Sequence, residues 1–536
     1  MSTRSFLQPY VAGRLLLMCL LLAYFSEVTA ETRRYRLSWR EDPATSMVIG
    51  FEWKSGERPM VVFDDEDHGS YTAAYQFRQQ PDEVVMAKGV MRTCFVRLKN
   101  LRPGTVYYFL VVDSEGQSRP LSFETAPNRP SQRLSLIAGG DSRNHRSAAQ
   151  AANRLVSRLR PHAVLFGGDM TAGDTPAEWR DWLDDWQLTI SRDGRCYPII
   201  AARGNHESSN QSLIEMLDLP TEGNYYAFNL GGSLLRTYTL NSLAPADGAQ
   251  RQWLEQDLRR HTATTWRIAQ YHHAMRPHTM QKPERDDLAR LWAPLFFQHK
   301  VQLAIESDSH VAKITWPIIP ARSNGQQGFV RDDQRGTVYI GEGCWGAPLR
   351  SNDDDKRWTR ASGSFNQFKW IWIDQNQIEI RTLVIDRSHG ETEVNPARRF
   401  TVPPGVQLWE TDGTRVVTVN QRPANQQVAS ADNRPAPQTT RPAIPVRVPP
   451  PPVQPQRVRP NSDWRVKLDF ELAQSGAVDI IVIDERMREF FRHQSPVMGA
   501  GPYSEWLQLP EIPRGAHFQL LLKSSGQIIA RYELVN

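Results

Sequence analysis

The sequence predicts a multidomain protein: an N-terminal β-sandwich, a central α/β domain, a Pro-rich linker and a small C-terminal all-β domain. Three observations support this. The chain has 536 residues, more than one hydrophobic core usually organises. Strand-like and helical runs alternate only in the middle of the chain, as in α/β domains. A polar, proline-rich segment that cannot bury a core separates the last residues from the rest.

The first 30 residues have the pattern of a secretory signal peptide. Arginines precede an apolar run at residues 15–25, and small residues ending in Ala30 offer a cleavage site. The run is short for a membrane span, although an uncleaved anchor shows a similar pattern. We therefore expect a mature chain that begins at Glu31 and is secreted or periplasmic.

Residues 31–127 predict the β-sandwich. The runs 46–53 and 105–112 are rich in β-branched and aromatic residues, and a turn at 101–105 leads into the second of them. Short strands at regular spacing over about a hundred residues are typical of a sandwich. The segment carries no catalytic residue pattern, so a generic sandwich that acts as a spacer is compatible with it.

Residues 128–403 predict the α/β domain, with helical runs at 147–159 and 252–259 between strand-like runs. Residues 404–462 predict the linker, and residues 463–536 the final β domain, since apolar and charged residues alternate there. The linker is best interpreted as a semi-rigid tether. The alternative is that its arginines contact an anionic envelope surface.

Charge and cysteine content exclude some classes of protein. The formal net charge of +5 is mild for this length and does not indicate nucleic-acid binding. Without the signal peptide the cysteines are Cys94, Cys196 and Cys344, which cannot form a disulfide framework. One bridge between Cys196 and Cys344 is compatible with an oxidising compartment.

Within the α/β region, five apolar runs each lead to residue types that bind metals. In an open α/β sheet the carboxyl ends of the strands share one edge, so these residues are expected to converge. Taken singly, Asp141 also fits a helix N-cap and His272 a buried structural histidine. A single hypothesis, a shared metal site, explains all of them together. The residues are Asp141, Asp169, Asn205, His206, Glu207, His272, Asp308 and His310.

Carboxylate, amide and imidazole ligands without thiolate suit divalent ions such as Mn, Fe, Zn or Mg. Two such ions close together form a clamp for in-line displacement at phosphorus, and they need a bridging carboxylate. Asp169, on a tight glycine turn after a buried strand, is placed for that bridge.

The motifs Gly-Asp, Gly-Gly-Asp, Gly-Asn-His-Glu, a histidine after an apolar strand and Asp-x-His occur here in the order of the calcineurin-like metallophosphoesterases, which this chain resembles. The segment 101–109 resembles the fibronectin type III-like domain that precedes the catalytic domain in purple acid phosphatases. The resemblance covers roughly residues 31–403. It implies a four-layer α/β/β/α catalytic domain and acid phosphatase-like hydrolysis of phosphate esters.

The resemblance also implies roles for single residues. Asp141, Asp169 and His310 would hold the first metal ion. Asp169 as bridge, with Asn205 and His272, would hold the second. His206 would contact the transferring phosphoryl group or protonate the leaving oxygen, and Glu207 would support the ligands. In such enzymes a metal-bound hydroxide attacks phosphorus in line.

The sequence departs from the family at several positions, among them Ala274, which replaces a proline usually found two residues after the metal histidine. Asp308 stands where the second ion would have a histidine, which favours Mn, Mg or Fe(II). Ala172 replaces the tyrosine that colours the purple enzymes, so we expect a colourless protein. Arg143 replaces a histidine ligand found in other branches; His145 or a water is a candidate for the vacant position, and Arg143 is a candidate for binding phosphate.

We therefore expect a dinuclear metallophosphoesterase acting on a phosphorylated small molecule, which leaves monoesters, diesters and nucleotides open as substrates. The alternative is a degenerate member of the family that binds a phosphorylated or polyanionic envelope ligand without turnover. The altered ligand positions favour that alternative, whereas the retained Asn205 and His206 argue against it.

Overall fold

The computed structural model describes residues 32–321, 327–421 and, between 456 and 534, residues 456–458, 460, 464–472, 478–484, 489–495, 501–509, 518–524 and 527–534. The predicted signal peptide and residues 422–455 of the predicted linker lie outside the described residues. The chain divides into two compact units, residues 1–428 and 429–536. Within the described residues, no helix combines the length and apolar composition required to cross a bilayer.

The N-terminal domain consists of two antiparallel sheets whose apolar faces share one hydrophobic cluster. The sheet orders are β1-β2-β6-β5 and β4-β3-β7-β8, with β9 paired to β7. Ile49 and Phe51 of the first sheet lie in the same cluster as Val61 and Phe109 of the second. The strands are β1 Thr32–Ser38, β2 Met47–Trp53, β3 Met60–Asp64, β4 Phe77–Gln79, β5 Glu83–Ala87, β6 Met91–Leu98, β7 Val106–Asp113, β8 Gly116–Gln117 and β9 Leu121–Glu124.

The central domain alternates strands and helices as predicted. Its helices are α1 Arg146–Leu159, α2 Pro176–Trp186, α3 Asn210–Leu217, α4 Ala249–Arg260, α5 Asp286–Leu291 and α6 Ala293–Gln298, with short 3-10 helices at Gln187–Thr189, Ile385–Arg387 and Pro396–Arg398. Its strands are β10 Leu134–Gly139, β11 Ala163–Phe166, β12 Ile199–Ala201, β13 Tyr226–Leu230, β14 Leu235–Thr239, β15 Trp266–His273, β16 Leu303–Ser307, β17 Ala312–Thr315, β18 Ile318–Pro320, β19 Phe329–Arg331, β20 Val338–Gly341, β21 Thr359–Gly363, β22 Gln367–Ile373, β23 Gln377–Val384 and β24 Val417–Asn420. The predicted order, a β-rich domain followed by an α/β domain, is confirmed.

The five strands that precede the candidate ligands belong to two sheets, which corrects the expectation of a single sheet edge. One sheet has the order β12-β11-β10-β22-β23-β24, and the other β13-β14-β15-β16-β20-β17-β21. In the first, Gly139 pairs with Phe166 and Phe166 with Ala201, so three parallel strands end in register. In the second, His273 pairs with Ser307. Each sheet therefore presents its own row of strand ends.

Side-chain alternation along β15 shows how the second sheet is covered. Ile268 belongs to a hydrophobic cluster shared with the first sheet, to which Leu136 of β10 also contributes. Its neighbours Ala269 and Tyr271 lie in a second cluster with residues of α4, α5 and α6, such as Leu254. One face of the second sheet thus meets the first sheet, and the opposite face meets helices.

The start of the predicted linker was wrong. Residues 404–421 pack on the first sheet, since β24 pairs with β23 and Val406 and Val417 are buried. The Trp409 amide also donates to the Thr382 carbonyl at 2.8 Å. Isolated apolar residues in this polar segment fill positions at the sheet edge, so composition alone misplaced the boundary.

Two open interpretations of single residues are also decided. Helix α1 begins at Arg146 with His145 at its N-cap, so Asp141 does not cap it. Cys196 and Cys344 are both buried and both free, so the proposed bridge between them is absent.

In the second unit, all described secondary structure is strand: β25 Gln456–Val458, β26 Arg465–Leu472, β27 Val478–Asp484, β28 Glu489–Gln494, β29 Gly501–Gln508, β30 Phe518–Ser524 and β31 Gln527–Leu534. A sheet of order β25-β31-β30-β27-β28 accompanies the pair β26-β29. Along β26, buried and exposed residues alternate strictly, as the sequence pattern predicts.

Candidate metal centre

The loops that follow the strand ends are held in an uncommon backbone conformation. Asp141, Asp169, Asp308 and His310 have φ values of 60°, 56°, 70° and 54°. Residues other than glycine rarely adopt positive φ, and they do so mainly at functional sites where the surrounding structure enforces it. Asp141 and Asp169, which follow strands of the first sheet, come close to Asp308 and His310, which follow β16 of the second.

A close approach of two loops explains the glycines of the motifs. A Cβ atom on Gly204 would lie 2.2 Å from Oδ1 of Asp169, and one on Gly168 would lie 2.4 Å from the Gly204 nitrogen. Neither contact is sterically allowed, so both positions require glycine. The approach brings the Asn205–His206 segment against the Asp169 carboxylate.

Asp141, Asp169 and His310 form the first cluster, and all three side chains are buried. Nε2 of His310 lies 3.2 Å from Oδ1 of Asp141. Nδ1 of His310 donates to the Pro348 carbonyl at 2.7 Å, which leaves Nε2 of the neutral ring with a free lone pair. Oδ1 of Asp141 is buried without a hydrogen-bond partner, a costly arrangement for a carboxylate unless a cation binds it.

Asp169, His272 and Asp308 form the second cluster, so Asp169 belongs to both. Nε2 of His272 faces Oδ1 of Asp169 at 3.3 Å and Oδ1 of Asp308 at 3.6 Å. Oδ1 of Asn205 lies 2.9 Å from the same nitrogen. Nδ1 of His272 donates to the Gly167 carbonyl at 2.8 Å, which orients the ring as in metal-ligating histidines.

The pKa shifts show that the pocket favours positive charge. Burial lowers the pKa of His272, but the carboxylates of Asp169 and Asp308 outweigh it and raise the value to about 10. Burial raises the pKa of Asp308, yet contact with His272 holds it far below its usual range. Buried oxygen and imidazole donors with excess negative charge fit divalent cations. The residues of the two clusters are therefore chemically suited to bind divalent metal ions.

Glu207 fastens the loops that carry the ligands. It is fully buried, and its carboxylate accepts the backbone N–H groups of Asp169, Met170 and Gly204 at 3.1, 2.8 and 2.7 Å. Burial and the nearby Asp169 raise the pKa of Glu207 to about 7. These contacts connect the Asp169 loop to the Gly204 loop.

His206 and Arg143 reach the same carboxylate from its open side. The His206 amide donates to Oδ1 of Asp169 at 2.9 Å, and its Nδ1 donates to the Ala172 carbonyl at 2.5 Å. The remaining Nε2 lies 3.8 Å from Oδ2 of Asp169, on a side chain that is 27% exposed. Nε of Arg143 lies 3.2 Å from that oxygen, and its Nη2 lies 3.4 Å from Nε2 of His310.

The structure does not place His145 in either cluster. Its side chain is exposed at the N-cap of α1, and neither ligand cluster includes it. Arg143 occupies the space beside Asp169 and His310 instead. Phosphate binding by Arg143 stays a prediction.

Sequence reasoning missed Lys282. Its Nζ lies 2.5 Å from Oδ1 of Asp308, although the two residues are separated by a long loop and two helices. Arg350 also approaches, donating to the Asp308 carbonyl at 2.7 Å. No sequence spacing predicts either contact, because both cationic residues lie in irregular loops.

A buried link to the N-terminal domain was also missed. Nζ of Lys88, in the turn after β5, donates to Oδ2 of Asp174 at 2.5 Å and to Ser212 at 2.7 Å. The same Asp174 oxygen accepts the amide of Ser208 at 2.9 Å, directly after Glu207. The N-terminal domain thus supports the loop that carries His206.

Comparisons with known proteins agree with this site. Residues 32–125 match the family model of the purple acid phosphatase N-terminal domain, and residues 141–312 match that of the calcineurin-like phosphoesterases. Among curated protein sequences, none matches the chain significantly. Residues 141–312 therefore contain a calcineurin-like phosphoesterase domain, which supports a phosphate ester hydrolase.

Two solved structures share the fold. Purple acid phosphatase PPD1 from yellow lupin (Lupinus luteus) has a TM-score of 0.56 and 13% identity, over 73% of this chain and 74% of that one. PhoD has a TM-score of 0.50 and 11% identity, over 73% of this chain and 92% of that one. The order of the two matched domains, 32–125 and 141–312, is thus similar to that of a purple acid phosphatase.

The Lys88–Asp174 link generates a stability prediction. Lys88→Met leaves the buried Asp174 carboxylate without its cation, so we expect a loss of about 3 kcal/mol in the free energy of unfolding. Lys99→Met is the matched control, because Lys99 and its partner Glu41 are both 55% exposed, and we expect a loss below about 1 kcal/mol. Urea unfolding measures both. Equal losses in the two variants would contradict the link.

Proposed function

We propose that the chain is a dinuclear phosphoesterase that hydrolyses a phosphorylated small molecule by in-line attack of water on phosphorus. The observation that carries the proposal is the position of Asp169, which is shared by two ligand clusters and faces His206 and Arg143. A carboxylate between two groups of oxygen and nitrogen donors suits a bridge between two ions.

The two ions would be held by different residues. Asp141, Asp169 and His310 form one set, and the second set consists of Asp169, Asn205, His272 and Asp308. When bound, divalent ions there would polarise phosphoryl oxygens and lower the pKa of bound water. Glu207 keeps the two loops in register for this task.

The remaining chemistry belongs to the protein. Arg143 offers a planar fork of donors to the equatorial oxygens, whose negative charge grows during displacement. Nδ1 of His206 is fixed on the Ala172 carbonyl, so its Nε2 is the atom directed at a ligand. A proton on that nitrogen would pass to the leaving oxygen as its bond to phosphorus breaks.

The proposal extends to the architecture and location of the protein. A four-layer α/β/β/α arrangement accounts for two sheets that share one cluster and for the helices on the outer face of the second. Export from the cytoplasm is supported by the sequence of residues 1–30. A semi-rigid tether after residue 421 is suggested by the prolines of residues 422–455.

The activity of defined variants tests this function. With Mn²⁺ and a panel of phosphate monoesters and diesters, we expect His206→Ala to lower kcat by about 10²–10⁴, the usual contribution of a positioned general acid. Asp169→Asn should be at least as damaging, because it removes the shared ligand. His389→Ala, an exposed histidine, is the control and should match wild type. Equal hydrolysis by all four proteins would refute the proposal.

A second candidate function is the binding of a phosphorylated or polyanionic ligand without turnover, and one observation favours it. Arg143 and Lys282 place protein cations beside ligand atoms of both clusters. The same experiment discriminates the two functions, because a binding protein would retain inorganic phosphate, measured by calorimetry, and hydrolyse no ester in the panel.

The position of Ala172 predicts the spectrum. Only its backbone carbonyl contacts the site, through His206, so no phenolate is available there to an iron ion. We expect protein reconstituted with Fe(III) to show no visible tyrosinate-to-iron charge-transfer band. Ala172→Ser, which also lacks a phenol, should give the same spectrum. A visible band in wild type would show that another tyrosine ligates the metal.

A further inference from the structure

The two ligand clusters differ in the protein cations that already contact them. Nε of Arg143 lies 3.2 Å from Oδ2 of Asp169, which both clusters share, whereas Oδ1 of Asp141, in the first cluster only, has no hydrogen-bond partner. In the second, Oδ1 of Asp308 carries the ammonium of Lys282 at 2.5 Å. Of the two carboxylates that the clusters do not share, Asp308 is therefore paired with a lysine, whereas Asp141 forms no ion pair with a lysine or arginine of the described residues.

The Asp308–Lys282 pair is shielded from water, which strengthens it. The side chain of Asp308 is 6% exposed and that of Lys282 is 18% exposed. Hydrogen bonds between charged groups of this kind are shorter and stronger than neutral ones. A divalent ion on Asp308 must therefore displace the ammonium from Oδ1 or share the carboxylate with it, at a cost in repulsion.

The loop that carries Lys282 is fastened on both sides. The Met280 amide donates to Asp353 at 2.8 Å, and the Arg285 amide donates to the Met275 carbonyl at 3.0 Å. The guanidinium of Arg285 also donates to the Ser242 carbonyl at 3.1 Å. These bonds hold the loop backbone within reach of Asp308.

We propose that Lys282 competes with the second metal ion for Asp308, which makes the second site the weaker of the two. The inference rests on the proposed dinuclear function and adds the identity of the residue that sets the difference in affinity. The first ion is then resident, and the second exchanges with the surrounding solution. Lys282 acts through Asp308 and is a positioning residue.

Calorimetric titration of chelator-treated protein with Mn²⁺ alone tests the proposal. Wild type should bind two ions in two steps, and Lys282→Met should tighten the second step about tenfold while changing the first by less than about twofold. Lys282→Arg retains the cation and should keep the second step weak. Lys99→Met, at an exposed pair far from both clusters in sequence, should match wild type. Far-UV circular dichroism confirms that each variant is folded.

The outcomes separate this inference from the function on which it rests. A second step that is unchanged or weaker in Lys282→Met would overturn the competition, even if wild type binds two ions and hydrolyses esters. Two equal steps in wild type would overturn it as well. Failure of wild type to bind Mn²⁺ or to hydrolyse any ester would instead contradict the proposed function. Asp308→Asn should weaken the second step, and an unchanged second step there would remove Asp308 from the ligand set.

Discussion

The constraint on which the site depends is the burial of three aspartates beside the imidazoles of His272 and His310. The side chains of Asp141, Asp169 and Asp308 are all buried, and one charged imidazole at His272 does not balance three carboxylates. Buried charge is tolerated only when it is paired or bound to metal. The pocket is therefore built for cations, and Lys282 supplies one of them from the protein itself.

Much of the surrounding structure serves to hold that charge in place. Gly168 and Gly204 allow two loops to touch, and Glu207 ties both loops together through backbone amides. The N-terminal domain contributes through Lys88, which neutralises Asp174 behind the His206 loop. A domain that shows no catalytic pattern in its own sequence thus supports the geometry of the catalytic loop.

The sequence predicted the members of the site because each follows a buried strand in a short motif. It placed them on one sheet edge, whereas Asp169 and His272 lie on different sheets, a distinction that strand periodicity does not encode. Contacts such as Lys282–Asp308 depend on the tertiary path of long loops, which no local sequence pattern predicts. The predicted start of the linker was wrong for a related reason. The few apolar residues of 404–421 are buried only because they pack on an existing sheet edge, which composition does not show.

The central claim is that Asp169 bridges two bound ions. The most direct measurement is a crystal structure of the protein grown with Mn²⁺, with anomalous scattering recorded at the manganese edge. The account predicts two anomalous peaks, about 3.5–4 Å apart, on either side of the Asp169 carboxylate. A single peak, or two peaks of which only one contacts Asp169, would contradict it.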